Sequence, residues 1–564
     1  MRSVIAAMKQ RPVDAGILLL ASLLPFLRLG IGEIQPWDES LYAIRANACL
    51  AFGAWLDQTH YAIGHFYSAT HPPLGVWLIA LSKLVLGDST FAVRFPMALA
   101  ASTSVLMLYA VVNRLASRAA ALVSAASLAA SSLFVLYSHR AQLESLVLCF
   151  GLATIVFLLF ALDKRSLPML GLSGVALALG LLSKFIVVLY VAPLLLLLPY
   201  VRCKNALWWY PLITLLAGCA LSLPWLLYML SQHPDFLQHI QESLGGLQSG
   251  TYARSSAAWW YYVNQLVVSI PLLILALGYF LTNTREGSAG SSEAEISSRR
   301  LTRSLVLWLI LLLGVLQLVG TRMPHFAFLL ILPGAMLAGV SWDKYTLLSR
   351  SQRVIIGSLA LVLIGWSSSE QLRLVVTARM HWDEVVLPSA YIMMLIFAGA
   401  ITSIYLTFGG RIKATNSNSG SWAHGVVVLI LTGAALHPLT QQEAVFTNGA
   451  RPISQILQMQ TGKVRAVIIH PDFPHEQFAP QFAYYTAGWT LGWLPNKSSD
   501  TLTYERAIAS YVPDSSQDVA VVTHFTDRFH HPDRQEVGTL AVLDERLRRA
   551  FLRRTILRSY TIYY

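Results

Sequence analysis

Long apolar runs separated by short polar breaks recur from near the N-terminus to about residue 438, and they decide what this chain can fold into. A helix rises ~1.5 Å per residue and a bilayer's hydrocarbon core is ~30 Å thick, so a run of roughly 17–25 apolar residues is one crossing. Reading the runs against their breakers predicts about thirteen spans, near 14–31, 92–113, 119–137, 143–162, 167–181, 184–200, 206–229, 260–282, 303–320, 325–341, 353–368, 386–408 and 423–438. With 55% hydrophobic and 12% charged residues, against ~25% charged in soluble domains, the chain is excluded from the soluble class. The predicted fold class is an α-helical polytopic membrane protein. Pro73 to Leu86 is apolar but short, with prolines in front, and suits a helix lying in the membrane interface.

The net charge of +12 could suggest nucleic acid, but the basic residues sit in short loops between apolar runs, which is membrane topology and excludes a nucleic-acid partner. Alternate loops carry Arg114/Arg118, Lys164/Arg165, Arg202/Lys204, Arg285/Arg299/Arg300/Arg303, Lys344/Arg350/Arg353 and Arg411/Lys413, on the side of the basic N-terminus. That side is cytoplasmic by the positive-inside rule. The N-terminus lacks a small-residue cleavage site and reads as a retained anchor, and an odd span number puts the C-terminal tail outside. The predicted domains are 1–438, transmembrane, with outer loops at 33–91 and 230–259, and 439–564. In the latter, Val464–His470 and Asp518–Thr523 read as buried strands and Glu476–Ala487 and Asp544–Arg554 as helices, a small α/β domain on the periplasmic side. The four cysteines have no disulfide or zinc spacing.

Ionisable residues beside apolar runs are functional candidates, and here they gather on the outer side. Pro36-Trp37-Asp38-Glu39-Ser40-Leu41-Tyr42-Ala43 sets two carboxylates just beyond the first span. A helix starting near Asp38 puts Tyr42 on its face while Glu39 points elsewhere, so one acid can face a reacting centre and the other can cap the helix or support the loop. An outer turn holds Arg140 and Glu144, four apart and predicted to share one face of an opening span. Lys184 is a single cation between two apolar runs, and Arg254 precedes the aromatic run Trp259–Tyr262. His71 precedes Pro72-Pro73, and Arg322 and His325 flank Pro324. Alone, each has a bland reading: a helix start, an intrahelical ion pair, a snorkelling lysine, a structural histidine. Together, carboxylates and cations predicted on one face suit a lipid-linked phosphate donor, a carboxylate acting as base on an acceptor hydroxyl while cations stabilise the departing phosphate. No glycine-rich nucleotide loop is present. No cofactor is required by the sequence; a divalent metal stays open, with His71 its weak candidate ligand.

At these residues the chain resembles the GT-C integral-membrane glycosyltransferases, specifically the protein O-mannosyltransferase and lipid A aminoarabinose transferase group (glycosyltransferase families 39 and 83), over roughly residues 10–340. Trp37–Ala43 is similar to the family's first-loop acidic motif, His71-Pro72-Pro73-Leu74-Gly75 to its Lys/His-Pro-Pro-Leu segment and Arg140–Glu144 to its second acidic motif. Leu182-Ser183-Lys184 resembles its Thr/Ser-Lys turn, and Thr321–His325 with Leu332-Pro333-Gly334 the turn before its proline-bearing span. The resemblance implies transfer of a sugar from a polyprenyl-phosphate carrier, undecaprenyl phosphate in kind, to an acceptor at the outer face of a bacterial inner membrane, with inversion. It implies Asp38, Glu39 and Glu144 as the catalytic acids, Asp38 foremost, and Tyr42, His71, Arg140, Lys184, Arg254, Arg322 and His325 as the donor-phosphate and lipid-binding set. Where aminoarabinose enzymes typically carry Glu-Lys before the paired prolines, this chain has Thr70-His71, which argues against a tightly held metal and against aminoarabinose as the sugar. The acceptor stays open among lipid A, a cell-surface glycan and a protein hydroxyl. The competing class is a flippase or secondary transporter of a lipid-linked substrate, which would place its charges near the midplane and show repeated halves.

Overall fold

The apolar runs become helices, several of them started by a serine. The computed structural model describes residues 12–35, 38–59, 71–241 with breaks at 203 and 239, 260–276, 293–319, 322–345, a few positions between 348 and 359, residues 484–485 and five short strands. The first helices are α1 (Pro12–Leu23), α2 (Asp38–Phe52), α3 (Leu74–Leu86), α4 (Thr90–Leu115), α5 (Arg118–Ala130), α6 (Ser132–Ser138) and α7 (Glu144–Lys164). They are followed by α8 (Leu167–Lys184), α9 (Ala192–Val201), α10 (Trp209–Gln232), α11 (Tyr261–Ser269), α12 (Glu293–Leu318), α13 (Pro324–Ala327) and α14 (Ile331–Tyr345). Ser89 and Ser117 cap α4 and α5, their hydroxyls accepting from the Ala92 and Ala120 N–H groups at 3.1 and 3.0 Å. Such caps satisfy backbone donors that a helix start leaves without partners.

Among the described residues six helical stretches are long and apolar enough to cross a membrane, or seven if α5 and α6, bent by 61° at their break, form one span. The chain is an integral membrane protein. The runs predicted at 92–113, 143–162, 206–229, 303–320 and 325–341 appear as α4, α7, α10, α12 and the α13–α14 segment. The run at 14–31 stays helical only to Phe26, because Leu27 is extended and Arg28 takes a positive φ of 55°. At 260–282 the chain forms α11 and a short 3-10 turn, Pro271–Ile274. The runs at 386–408 and 423–438, and nearly all of 353–368, lie outside the described residues.

The stretch Leu167–Val201 is apolar throughout, and side-chain approaches show that it reverses direction at its middle. Phe185 adopts φ 49° and ψ −141°, ending α8, and Val188 folds back so that a Cβ on Gly180 would stand 2.5 Å from its Cγ2. A helix would carry residues eight apart ~12 Å away from each other, so the close approach requires a hairpin. Arg202, just past α9, accordingly returns to Asp163 near the end of α7, at 2.8 Å. Asp163 also pairs with Arg114 at 2.5 Å, Arg118 pairs with Asp14, and Arg300 donates to the Tyr200 carbonyl at 3.0 Å. These are the cations that positive-inside counting assigns to one side. Glu144 opens α7 and Asp163 nearly closes it, so the two acids mark helix ends about 28 Å apart.

The chain divides into two compact units: Met1–Gly30, Trp55–Asp57 and Ala69–Ala444; and Ile31–Ala54, Gln58–Ser68 and Val445–Tyr564. In the first, Trp308 is fully buried, donates to the Tyr190 carbonyl at 2.6 Å and stacks on its ring. Helices α5 and α14 approach at Gly339, where a Cβ would stand 2.3 Å from the Ala120 carbonyl oxygen. The second unit contains α2 and a five-stranded sheet of order β2-β1-β3-β5-β4. The parallel strands β1 (Ala466–Ile469), β2 (Thr490–Trp493) and β3 (Val519–Thr523) are joined by antiparallel β4 (Arg554–Leu557) and β5 (Tyr560–Tyr563). Two strands fall on the runs read as strands. The predicted helices at 476–487 and 544–554 lie outside the described residues, except that Tyr484 and Tyr485 are helical and Arg554 begins β4.

Candidate functional site

In the first unit, three ionisable side chains from three separate helices meet at the end of α7 away from the arginine-rich loops. Glu144 starts α7 with its side chain 4% exposed, and its Oε1 accepts from the Nζ of Lys184, the last residue of α8, which is 12% exposed. His325, in α13, lies close enough to feel both charges. Lys184 therefore does not snorkel into lipid headgroups; it turns inward to an acid forty positions earlier in the chain. A charge pair this dry persists only where the surroundings compensate its desolvation. Glu144 has a second carboxylate oxygen, Oε2, that is buried with no hydrogen-bond partner among the described residues.

The predicted Arg140–Glu144 pairing on one helical face is corrected. The helix begins at Glu144, Arg140 sits in the turn before it, and Glu144 pairs with Lys184. Four-residue spacing makes neighbours only inside a helix. His139, in the same turn, is buried, and its Nδ1 lies 2.7 Å from the Val135 carbonyl oxygen. Burial, with the Arg94 guanidinium adding to it, holds this imidazole below its ordinary range and therefore neutral. His71 and Arg322 are each half-buried in this unit, His71 immediately before the buried Pro72-Pro73. His233, at the end of α10, pairs with Asp57 at 2.6 Å, and Trp225 donates to the Leu56 carbonyl at 3.1 Å, so the short Trp55–Asp57 stretch is tied to α10. Arg254 lies outside the described residues. Among the described residues no group of three or more His, Cys, Asp or Glu side chains is arranged to hold a metal ion.

In the second unit α2 begins at Asp38, so the acidic motif is a helix start, as its pattern predicts. Glu39 is fully buried and its Oε2 accepts from the Gln35 N–H at 2.6 Å, tying the preceding loop to the helix. That occupies Glu39 with the backbone, while Asp38 is half-exposed. Tyr42, one turn on, is 2% exposed. Two arginines escaped the sequence reading. Arg45 lies seven residues after Asp38 on the same stripe of α2, is 2% exposed, and donates through Nε and Nη2 to Gln58 Oε1 at 3.2 and 2.9 Å. Arg94, in the first unit, is 1% exposed and donates to the Leu29 carbonyl at 3.3 Å. A lone arginine inside an apolar run was the available signal for Arg94, and helical spacing from Asp38 for Arg45.

Residues 70–228 match the family model described as dolichyl-phosphate-mannose-protein mannosyltransferase. The crystal structure of ArnT from Cupriavidus metallidurans bound to undecaprenyl phosphate superposes with a TM-score of 0.64 at 15% identity, covering 99% of this chain and 98% of that one. Undecaprenyl phosphate-alpha-4-amino-4-deoxy-L-arabinose arabinosyl transferase 2 of Pseudomonas fluorescens is 30% identical over 368 residues, 62% of this chain and 59% of the relative. The chain is a GT-C-fold relative of the aminoarabinose transferases. The corresponding Pseudomonas aeruginosa protein is 29% identical over 320 residues, 54% of each chain. The chain thus spans about three-fifths of the length of the curated relatives it matches.

Proposed function

We propose that this GT-C chain is an inverting glycosyltransferase that moves a sugar from a polyprenyl-phosphate carrier to an acceptor at the outer face of the bacterial inner membrane. The reading is carried by the inward-facing Glu144–Lys184 pair with His325 beside it, at the helix ends opposite the cation-rich loops. A transporter would hold such charges near the middle of its spans; here they stand at helix termini. The relatives are named for undecaprenyl phosphate-linked aminoarabinose, which makes that carrier and sugar the first donor to test and lipid A the first acceptor. The finer topology belongs to the same proposal: about thirteen spans, a cytoplasmic N-terminus, a transmembrane domain over 1–438, and a periplasmic α/β domain over 439–564.

In this reading the acceptor hydroxyl oxygen attacks the anomeric carbon, its proton passes to the Asp38 carboxylate, and the bond from that carbon to the phosphate oxygen breaks. The electron pair leaves on the carrier phosphate, and attack opposite the leaving group inverts the anomeric centre. Lys184, Arg140, Arg254, Arg322, His71 and His325 supply cationic or hydrogen-bonding contacts to the phosphate, with Tyr42 assisting. Glu144 is the second acid. Glu39, whose Oε2 accepts from the Gln35 N–H, ties the preceding loop to the start of α2 beside Asp38 and is the third acid of the set. Asp38→Asn keeps the size of the side chain and removes its basicity. The variant is expected to fold and insert while losing transfer by at least the hundredfold typical of a general base; full turnover in Asp38→Asn sinks the mechanism.

A further inference from the structure

Glu144 is only half explained by its ion pair. Oε1 is taken by Lys184, but Oε2, on a side chain 4% exposed, is buried without a hydrogen bond among the described residues. Two positions earlier, in the turn that leads into α7, the amide oxygen Oε1 of Gln142 is likewise buried without one. Buried polar atoms are nearly always bonded, and one that is not calls for a specific reason. Both atoms are hydrogen-bond acceptors, which restricts what can fill them. An ionised phosphate carries only acceptors and cannot satisfy either. A sugar ring carries hydroxyl or amino donors and can.

Resting on the transferase reading, we propose that the turn before α7 holds a subsite for the ring hydroxyl or amino groups of the transferred sugar, with Glu144 Oε2 as its principal acceptor and Gln142 Oε1 as its second. Lys184 then orients Glu144: by holding Oε1 it leaves Oε2 to the substrate. The carboxylate reads the sugar, while the cations deal with phosphate. A buried acceptor rejects an analogue lacking the matching donor, because the analogue leaves that acceptor without a partner. The expected discrimination is about ten- to hundredfold in kcat/KM, the ratio equivalent to one hydrogen bond to a charged group.

The test uses the full-length protein in proteoliposomes with lipid A as acceptor. The donors are undecaprenyl-phosphate-linked 4-amino-4-deoxy-arabinose, its arabinose counterpart and analogues each lacking one ring hydroxyl or the amine. The ratio of kcat/KM for parent over analogue is compared among wild type, Glu144→Gln and Gln142→Ala. Wild type should disfavour one analogue by about ten- to hundredfold. That ratio should fall toward one in Glu144→Gln and fall in Gln142→Ala for the same or an adjacent ring position. The aminated and hydroxylated donors show which group is read. Equal ratios in all three proteins, with transfer intact, overturn the subsite and leave the transferase reading standing; inactivity of wild type toward every donor overturns both. Should Glu144→Gln fail to fold or turn over, Gln142→Ala, which leaves the ion pair untouched, decides, and an unchanged ratio there refutes the proposal.

Discussion

Lys184→Met isolates what the buried pair contributes to stability. The substitution keeps most of the aliphatic stem, so packing changes little, but it leaves the Glu144 carboxylate in place without the cation that bonds Oε1. Because the side chains are only 4% and 12% exposed, water does little to screen the loss. Removing one member of such a pair costs about 3–5 kcal/mol, whereas replacing both by apolar groups of similar volume is near neutral or better. Lys184→Met should therefore destabilise the detergent-solubilised protein by about 3–5 kcal/mol, and Glu144→Leu together with Lys184→Met should recover most of that, within about 1 kcal/mol of wild type. Denaturant titrations of wild type, both single variants and the double variant close the cycle. A Lys184→Met midpoint unchanged from wild type, or a double variant no better than the sum of the singles, refutes the claim that the two charges compensate each other in a dry site.

Other outcomes follow from the same geometry. Gly339→Ala places a Cβ against backbone that cannot move aside, 2.3 Å from the Ala120 carbonyl oxygen, and should cost about 1–3 kcal/mol by thermal unfolding; an unchanged midpoint means α5 and α14 are not packed this closely. Burial pushes the Cys49 thiol up to about 11, against the opposing pull of Arg45, so below pH 9 it stays protonated and should resist alkylation. Its modification rate, followed by peptide mass spectrometry, should rise about tenfold per pH unit toward 11, because only the thiolate reacts; ready labelling at pH 7 contradicts that burial.

The parts of the fold that sequence made legible are those set by transfer free energy. Apolar runs named the long helices and alternate basic loops named one set of their ends, because burying charge in hydrocarbon is so costly that composition alone reports it. Asp38 at a helix start was readable from local pattern, and Glu39's bond to the Gln35 N–H fits the reading that one of two adjacent acids supports the loop. The Glu144–Lys184 pair was not readable. Its members were both singled out, but their partnership crosses two helices, and spacing along one chain suggested Arg140 instead. The α8–α9 hairpin was visible as two runs meeting at Lys184, whereas the arrest of the first run at Phe26 depends on a positive φ at Arg28 that no residue preference announces. Arg45 and Arg94 are each a single cation in sequence, and only burial against Gln58 and Leu29 distinguishes them from solvated charges.

The central claim, that sugar leaves a polyprenyl phosphate with inversion at the outer face, is tested most directly by following one donor through one turnover. Purified protein in proteoliposomes is given undecaprenyl-phosphate-linked 4-amino-4-deoxy-arabinose and lipid A, free undecaprenyl phosphate is quantified against glycosylated lipid A, and the anomeric configuration of the product is read by NMR. The account predicts one carrier phosphate released per sugar transferred and an anomeric centre opposite to that of the donor. Movement of the intact donor between leaflets without release of carrier, or a product that keeps the donor's configuration, contradicts it.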